Sequence, residues 1–442
     1  MSEDKVELAA SGDPEEMSME RPLTQHIRPG EEPLDLKGYE QVGGYQAVRK
    51  ALSSMTPAEV TGVVEDSGLT GRGGAGFPTG RKWSFIPIGE DAPRPRYLIA
   101  NADEMEPGAF KDRYLLEGNP HQLIEGIILA AYAIQAEVAY IFLRWAYKLA
   151  AKRLTQAIRE AYENHYLGEN ILGLGYSLEL RLHTSAGRYI CGEATALLDA
   201  LEGQRGVPRA KPPHAAASGL WAKPTVVNNV ETLSNVPHIT NKGAAWFKSL
   251  SLSAESGTKL YQVSGKVRRP GVWELPVGTT FRELLEEHAG GLPYGLALRG
   301  LLPGGASTGF LLPEHLDVRM DLASIEQAGS RGGTGTIIVL DDHTCPVGMV
   351  SNTMRFFARE SCGWCTPCRD GLPWTSKALQ AIEEGQGEAG DVERLALDTE
   401  LITAQNTFCE LATGAMEPLR SALRCFGDDF WRHVHEKRCP WK

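Results

Sequence analysis

Basic residues are in the minority here: 45 Lys and Arg stand against 56 Asp and Glu, a formal net charge of -11 over 442 residues. A general nucleic-acid binder needs a basic face, so that class is set aside. Cysteine is scarce, eight in the whole chain. That is too few for a disulfide scaffold of this length, and a reducing cytoplasm is the simplest reading. The opening Met1-Ser-Glu-Asp is acidic and lacks the basic and apolar segments of an export signal. No apolar run of membrane-spanning length is free of ionisable groups. The longest, Leu123 to Leu143, is interrupted by Glu125, Gln135 and Glu137, and a carboxylate in lipid is costly. It reads as a core helix near 122–135 followed by a buried strand over 138–143. Nothing in the chain is expected to cross a bilayer, and no repeat stands out.

The chain has room for about three domains. Residues 1–35 are acidic and Pro-rich without periodicity, which predicts a mobile tail. Strands near 97–100, 138–143 and 178–183 alternate with helices near 45–53, 57–66, 122–135 and 146–164. That alternation predicts an α/β domain with a parallel sheet over 36–249. Thr56 is placed to cap the 57–66 helix, with Pro57 at its first position. Strands at 260–263 and 272–275 flank a turn at 268–271. The capping box Thr280-Phe-Arg-Glu283 then opens a helix that Gly290-Gly291 closes. This order predicts a small β-grasp (ubiquitin-like) domain over 250–335, with 336–442 helical.

The sharpest chemical signal lies in that last segment. Cys362-Gly-Trp-Cys365-Thr-Pro-Cys368 carries three cysteines in C-x-x-C-x-x-C spacing, with Cys409 further along. One turn of chain can bring three thiolates to a small volume, which suits a 4Fe–4S cluster. Tetrahedral zinc is the competing reading, although zinc usually draws on two separated pairs. Spacing alone does not make Cys409 the fourth ligand. Cys191 reads as a packed thiol. Cys345, Cys425 and Cys439 have no partner at ligand spacing and read as structural or surface residues.

Three loops complete the pattern. Gly71-Arg-Gly-Gly-Ala-Gly-Phe-Pro-Thr-Gly80 has five glycines in ten residues. Backbone N–H groups in such a loop can cradle a phosphate, and a structural turn is an equal reading. It matches neither the G-x-x-x-x-G-K-[ST] nor the strand-led G-x-G-x-x-G pattern. Arg72 and Lys82 could balance phosphates, and Phe77 and Phe85 could sandwich a flat ring. Asp103, Glu104 and Glu106 put three carboxylates in four residues just after a strand. They suit a divalent cation, ribityl or ribose hydroxyls, or a solvated loop. Asn228-Asn229-Val-Glu231-Thr232 offers paired amides for a flavin edge or phosphate, or simply a helix cap.

Taken together, Gly71 to Phe85, Asn101 to Arg113, Arg188 to Leu197, Lys223 to Leu233 and Glu360 to Gly371 resemble one family. It is the flavoprotein NADH-binding subunit of respiratory complex I, with the related diaphorase subunits of NAD-reducing hydrogenases and formate dehydrogenases. The likeness runs from about residue 37 to the C-terminus with the motif order kept. It implies NADH oxidation with FMN and a 4Fe–4S cluster in a Rossmann-like domain, a β-grasp domain and a helical bundle. By matching motif, FMN would be surrounded by Gly71, Arg72, Gly73, Lys82, Asn101, Asp103, Glu104, Tyr189, Gly192, Glu193, Asn228, Asn229 and Thr232. Gly74, Phe77, Lys82, Phe85 and Glu106 would meet the dinucleotide, and Glu106 and Glu193 are the candidate catalytic acids. Cys362, Cys365, Cys368 and Cys409 would hold the cluster. The implied partners are a thioredoxin-like 2Fe–2S subunit and a large multi-cluster subunit, with the chain peripheral on the cytoplasmic face of a membrane and touching it only through the complex. A diaphorase feeding a soluble hydrogenase or formate dehydrogenase is the alternative.

Three departures sit in the nucleotide region. The family's Cys-Gly-Glu-Glu-Thr is Cys191-Gly-Glu193-Ala194-Thr195 here; its Pro-Pro-Phe-Pro is Pro212-Pro-His214-Ala; its Arg-Gly-Glu-Tyr is Arg144-Trp-Ala-Tyr147. Loss of the second acid removes a repulsion against a 2′-phosphate, and His for Phe shrinks the stacking surface. Weaker NADH binding, or a relaxed choice between NADH and NADPH, is therefore expected.

Overall fold

The computed structural model describes residues 19–442. Four strands form an all-parallel sheet: β1 (Tyr97–Ala102), β2 (Val138–Leu143), β3 (Glu179–Thr184) and β4 (Thr225–Asn229), in the order β3-β2-β1-β4. Crossover helices Pro120–Ala133 and Lys148–Glu163 link β1 to β2 and β2 to β3. The order runs outward from β1 in one direction and then returns to its other side for β4. That reversal is where open α/β sheets hold ligands, beyond the strands' carboxyl ends. At this point Asn101 of β1 stands in register with Asn229 of β4.

Helix Pro120–Ala133 is the apolar segment that falls short of a membrane span. Every residue in it except Tyr132 is buried, so it is a core helix shielded on all sides. Its one acid is answered internally: Glu125 accepts hydrogen bonds from Tyr39 Oη at 2.7 Å and from the Ala47 N–H at 3.1 Å. Helix Val230–Lys242 crosses so closely that a Cβ added at Gly126 would lie 2.1 Å from the Leu233 carbonyl oxygen. Only glycine permits that approach. No helix of the described residues is long and apolar enough to cross a membrane.

The second sheet is mixed: β5 (Thr258–Gly265), β6 (Gly271–Pro276), β7 (Leu298–Leu302) and β8 (Thr336–Asp341), in the order β6-β5-β8-β7. β5 and β6 form the expected hairpin, and β8 runs parallel to β5. The Thr280/Glu283 capping box opens a short helical segment as read from the sequence. Phe281, Leu284 and Leu285 from that segment bury with Tyr261, Val263, Ile337 and Val339 of the sheet. β8 begins at residue 336, so the expected boundary at 335 cuts the last strand from its sheet. Parallel pairing with β5 holds it there, and that partner is too distant in sequence for a local pattern to reveal.

Helices Pro346–Glu360, Leu372–Glu383, Ala389–Leu401, Glu410–Cys425 and Gly427–Glu436 form the C-terminal bundle. It does not stand apart. Phe357, Met354, Leu372 and Leu411 share one core with Ile99, Phe142 and Val227 of the parallel sheet. The expected tail divides: residues 1–18 lie outside the described residues, whereas the part from Met19 onward packs. Leu23 is fully buried. Its N–H and those of Thr24 (backbone and Oγ1) donate to the Glu274 carboxylate at 2.9 to 3.1 Å. Composition predicted mobility here, but a long-range acceptor on β6 supplies the order.

Candidate functional site

Four segments meet over the carboxyl ends of β1 and β4 around a cavity of about 340 Å³. From the end of β1 comes Asn101, from the loop after it Asp103, Glu104 and Glu106, and from the glycine loop Gly73 and Gly74. Tyr189, Gly192 and Glu193 come from the turn before helix Ala194–Leu201, and Asn229 ends β4. Gly74 has φ of +115°, a conformation glycine alone adopts freely, and this bends the loop toward the cavity.

Asp103 carries the fit to a ligand. It is buried, its Oδ1 accepts from Ser185 Oγ at 2.8 Å, and its Oδ2 has no partner. A buried carboxylate oxygen without a donor is costly, and a polyol hydroxyl facing the cavity would relieve it. Burial pushes the Asp103 carboxyl up to about 6, with Ser185 and Arg144 pulling the other way. Glu104 is raised to about 7, by burial first and then by Asp112. It accepts from the N–H groups of Asp112 and Arg113 and from Tyr147 Oη at 2.9 Å.

Lys111 and Asp112, which the sequence reading passed over, also line the cavity. Lys111 Nζ lies 2.7 Å from Asp112 and 2.8 Å from Glu231, all three buried. Asn229 Nδ2 donates to Asp112 at 2.6 Å. Burial opposes the Lys111 charge, but its acidic neighbours win and hold it protonated. The second domain contributes Ser307, Thr308, Arg331 and Thr334. None of these sits in a motif, and only the packing of the two sheets brings them here. Glu106 spans the junction: Tyr189 Oη donates to it at 2.7 Å and the Ser307 N–H at 2.8 Å.

Glu193 caps helix Ala194–Leu201. Its Oε2 accepts from the N–H groups of Thr195 and Ala196, and its Oε1 pairs with Lys211 at 3.0 Å. Burial opposes its charge, yet these bonds hold it below the usual range. Ala194, where the family has an acid, is the first residue of that helix, and His214 is exposed on the segment beyond Lys211. The departure Arg144-Trp145-Ala146-Tyr147 still serves the acidic loop, through Arg144 to the Glu104 carbonyl at 2.7 Å and Tyr147 to its side chain.

Seven expected cofactor residues lie outside the cavity lining. Gly71 closes the base of the loop through its N–H to the Phe77 carbonyl at 2.9 Å. Arg72 turns away and is spent on Glu255 at 3.0 Å and on the carbonyls of Ser256 and Thr258. Thr232 Oγ1 accepts from the Arg72 N–H at 2.8 Å, and Asn228 Oδ1 from Trp83 Nε1 at 2.9 Å. Lys82 turns to the Val227 carbonyl, and burial lowers its pKa to about 8. Phe77 and Phe85 are exposed, with centroids 6.1 Å apart. Most of these side chains hold the loop in place, a role residue type alone does not distinguish from ligand contact.

Cys362, Cys365, Cys368 and Cys409 converge on a neighbouring pocket that Ile190, Leu411 and Ala412 also line. Cys368 sits in the helical turn Pro367–Gly371, and Cys409 caps helix Glu410–Cys425. Burial pushes Cys368 up to about 12, with Cys365, Cys409 and Cys362 adding to it. Among the described residues, the one group of metal-ligating atoms lying within 4.8 Å of one another is elsewhere. No three of these sulfurs lie within 4.8 Å of one another, and four thiols around one pocket suit the thiolate corners of a 4Fe–4S cluster. The cavity and the thiol pocket share Ile190, Cys409 and Leu411. Arg188 fixes the junction, with its Nε 3.1 Å from Glu360, two residues before Cys362.

Comparison with known proteins agrees. Residues 64–238 match the Nuo51 FMN-binding domain, 260–311 the SLBB domain, and 348–433 the NADH-ubiquinone oxidoreductase-F iron-sulfur binding region. The chain is 52% identical to NADH-quinone oxidoreductase-F of Salmonella typhimurium, one subunit of that enzyme, over 92% of both chains. It is 47% identical to the Streptomyces coelicolor counterpart over 93% of this chain and 90% of that one. A solved NAD+-reducing [NiFe]-hydrogenase in its H2-reduced state superposes with a TM-score of 0.78 at 36% identity, covering 94% of this chain and 67% of that one. In its air-oxidized state the score is 0.76 at 35% identity, and the match spans 66% of the hydrogenase chain. With three domains matched in order and half the residues identical to curated relatives, the chain belongs to the NADH-quinone oxidoreductase-F family.

Proposed function

We propose that this chain oxidises NADH at the cavity beyond β1 and β4 and hands electrons singly to a cluster held by Cys362, Cys365, Cys368 and Cys409. When bound, FMN supplies hydride acceptance and one-electron release, and a 4Fe–4S cluster supplies the relay. The observation that carries the reading is the wall of Ile190, Cys409 and Leu411 common to the cavity and the thiol pocket.

Asp103 Oδ2, Asn101 and Asn229 are the polar groups suited to ribityl and ring-edge contacts, and the Gly73–Gly74 backbone suits phosphate. Lys111, held charged by Asp112 and Glu231, neutralises part of the acidic charge buried beside the cavity. Glu106, fastened by Tyr189 and Ser307, positions the side of the cavity nearest the second domain. Glu193 is committed to its helix cap and Lys211, so it acts by orientation and charge. No general base is needed. The protein's contribution is alignment and exclusion of water.

Family membership makes the chain one subunit of a multi-subunit complex. A thioredoxin-like 2Fe–2S subunit and a large multi-cluster subunit are the proposed neighbours, with the assembly on the cytoplasmic face of the membrane. Identity above 50% across nearly the whole of both chains favours this over a hydrogenase-linked diaphorase. Anaerobic titration of the purified chain with NADH tests the reading. Flavin bleaching and an EPR signal from a reduced cluster are expected; bound zinc without flavin or labile sulfide would overturn it.

A further inference from the structure

Apart from the thiol pocket, the C-terminal bundle brings together four residues that the proposed chemistry does not use. Cys345 caps helix Pro346–Glu360, Glu383 ends helix Leu372–Glu383, His433 lies on helix Gly427–Glu436, and Cys439 follows near the C-terminus. One ligand atom from each falls within 4.8 Å of all the others. Cys345 Sγ lies 3.3 Å from both Glu383 Oε2 and His433 Nε2, which are themselves 3.3 Å apart. His433 is fully buried, Cys439 nearly so, and both cysteines are free thiols.

The polar atoms of all four face one another. His433 Nδ1 is 2.7 Å from the Asp429 carbonyl, which can only accept, so Nδ1 carries a hydrogen and Nε2 is the ring nitrogen that faces Cys345 and Glu383. Cys345 Sγ is an acceptor for the Gly348 N–H at 3.2 Å. Four ligating atoms converging at separations typical of one coordination sphere suit a cation. The outer arrangement is also that of a metal site: a carbonyl orients the histidine, and Lys442 Nζ holds the other Glu383 oxygen at 2.8 Å.

We propose that Cys345, Glu383, His433 and Cys439 form a mononuclear site for a divalent cation of the zinc class. Two thiolates, a neutral imidazole and a carboxylate make a closed tetrahedral set with no position open to substrate, the signature of a structural site. Binding displaces the two thiol protons and involves no electron transfer. The ion would tie the last residues of the chain to the helices that frame the cluster.

The test uses the full chain, purified without an affinity tag and carrying its flavin and cluster. Metal analysis after addition of Zn(II) should give about one zinc per chain beside the cluster iron. Cys345→Ser and Cys439→Ser should each lose that zinc while keeping flavin, iron and NADH–ferricyanide activity. A second reading needs no variant: Co(II) added to chelator-treated wild-type protein should give the thiolate charge-transfer and tetrahedral bands of a Cys2HisGlu site. Wild-type protein that takes up neither zinc nor cobalt, zinc retained by both variants, or a Cys345–Cys439 disulfide in the purified chain would each overturn the proposal.

Discussion

Two sets of four candidate ligands lie in the same helical bundle, and they differ in how far the sequence reveals them. The first draws Cys362, Cys365 and Cys368 from a single turn and adds Cys409. The second draws Cys345, Glu383, His433 and Cys439 from four separate elements. The first has no three sulfurs within 4.8 Å of one another and opens beside the cavity; the second is drawn within 4.8 Å and faces the bundle interior. The proposed relay calls for a set placed beside the cavity. A structural staple needs only closeness, and separate helices supply that as well as a motif does.

The largest effect that can break this contrast is loss of the first set. Cys365→Ala should strip the cluster iron and sulfide and remove nearly all electron transfer to quinone in the assembled complex, because the relay is gone. Flavin bleaching by NADH should persist, and so should zinc at the second set. Retained cluster EPR in this variant would show that Cys365 is no ligand.

Next comes the charge set between cavity and core. Lys111→Met leaves Asp112 and Glu231 buried without their cation, which costs about 3–5 kcal/mol for a buried pair broken on one side. Chemical denaturation should register that loss, with flavin affinity falling alongside. A change below about 1 kcal/mol would mean the network is solvated rather than dry.

A third acid, remote from both sets, gives a control with a defined sign. Burial raises Glu274 to about 7, against the pull of Thr258, Leu23 and Thr24. The folded protein then holds that proton over a pH range where the unfolded chain has lost it. Its contribution is present below pH 4.5, declines as pH rises toward 7 and is gone above, for a total of about 3 kcal/mol at 1.36 kcal/mol per unit. Stability measured from pH 5 to 8 should fall and then level. Glu274→Leu, which removes the titrating group, should flatten that slope; an unchanged slope would locate the proton elsewhere.

The smallest expected effect concerns nucleotide choice. Ala194→Glu restores an acid at the start of helix Ala194–Leu201 and should raise the NADH/NADPH ratio of kcat/KM about tenfold, or 1.4 kcal/mol. An equal, strong preference for NADH in both proteins would show that neighbouring residues already reject the 2′-phosphate.

Much of the fold was legible because its signals are local. The Thr56 N-cap, the Thr280 capping box and the strand at 138–143 stand where period and cap chemistry put them. The buried stretch before that strand reads as a core helix for the same reason. The site was legible in part. Asn101, Asp103, Glu104, Glu106, Tyr189, Gly192, Glu193 and Asn229 reach the cavity, while Arg72, Asn228 and Thr232 are consumed in holding the loop. Those two uses call for the same polar side chains, so type and position along the chain cannot separate them.

The sequence by itself determined the spacing of three thiols, the order of the loops and the alternation that builds a parallel sheet, since each rests on neighbours a few residues apart. Only the tertiary structure decided that Cys409 meets those thiols, that Lys111 and Ser307 line the cavity, and that Cys345 and Cys439 are partners. Such meetings depend on which helix faces pack together. Packing is a property of the summed apolar surface, spread across the whole chain, and no single stretch of residues carries it.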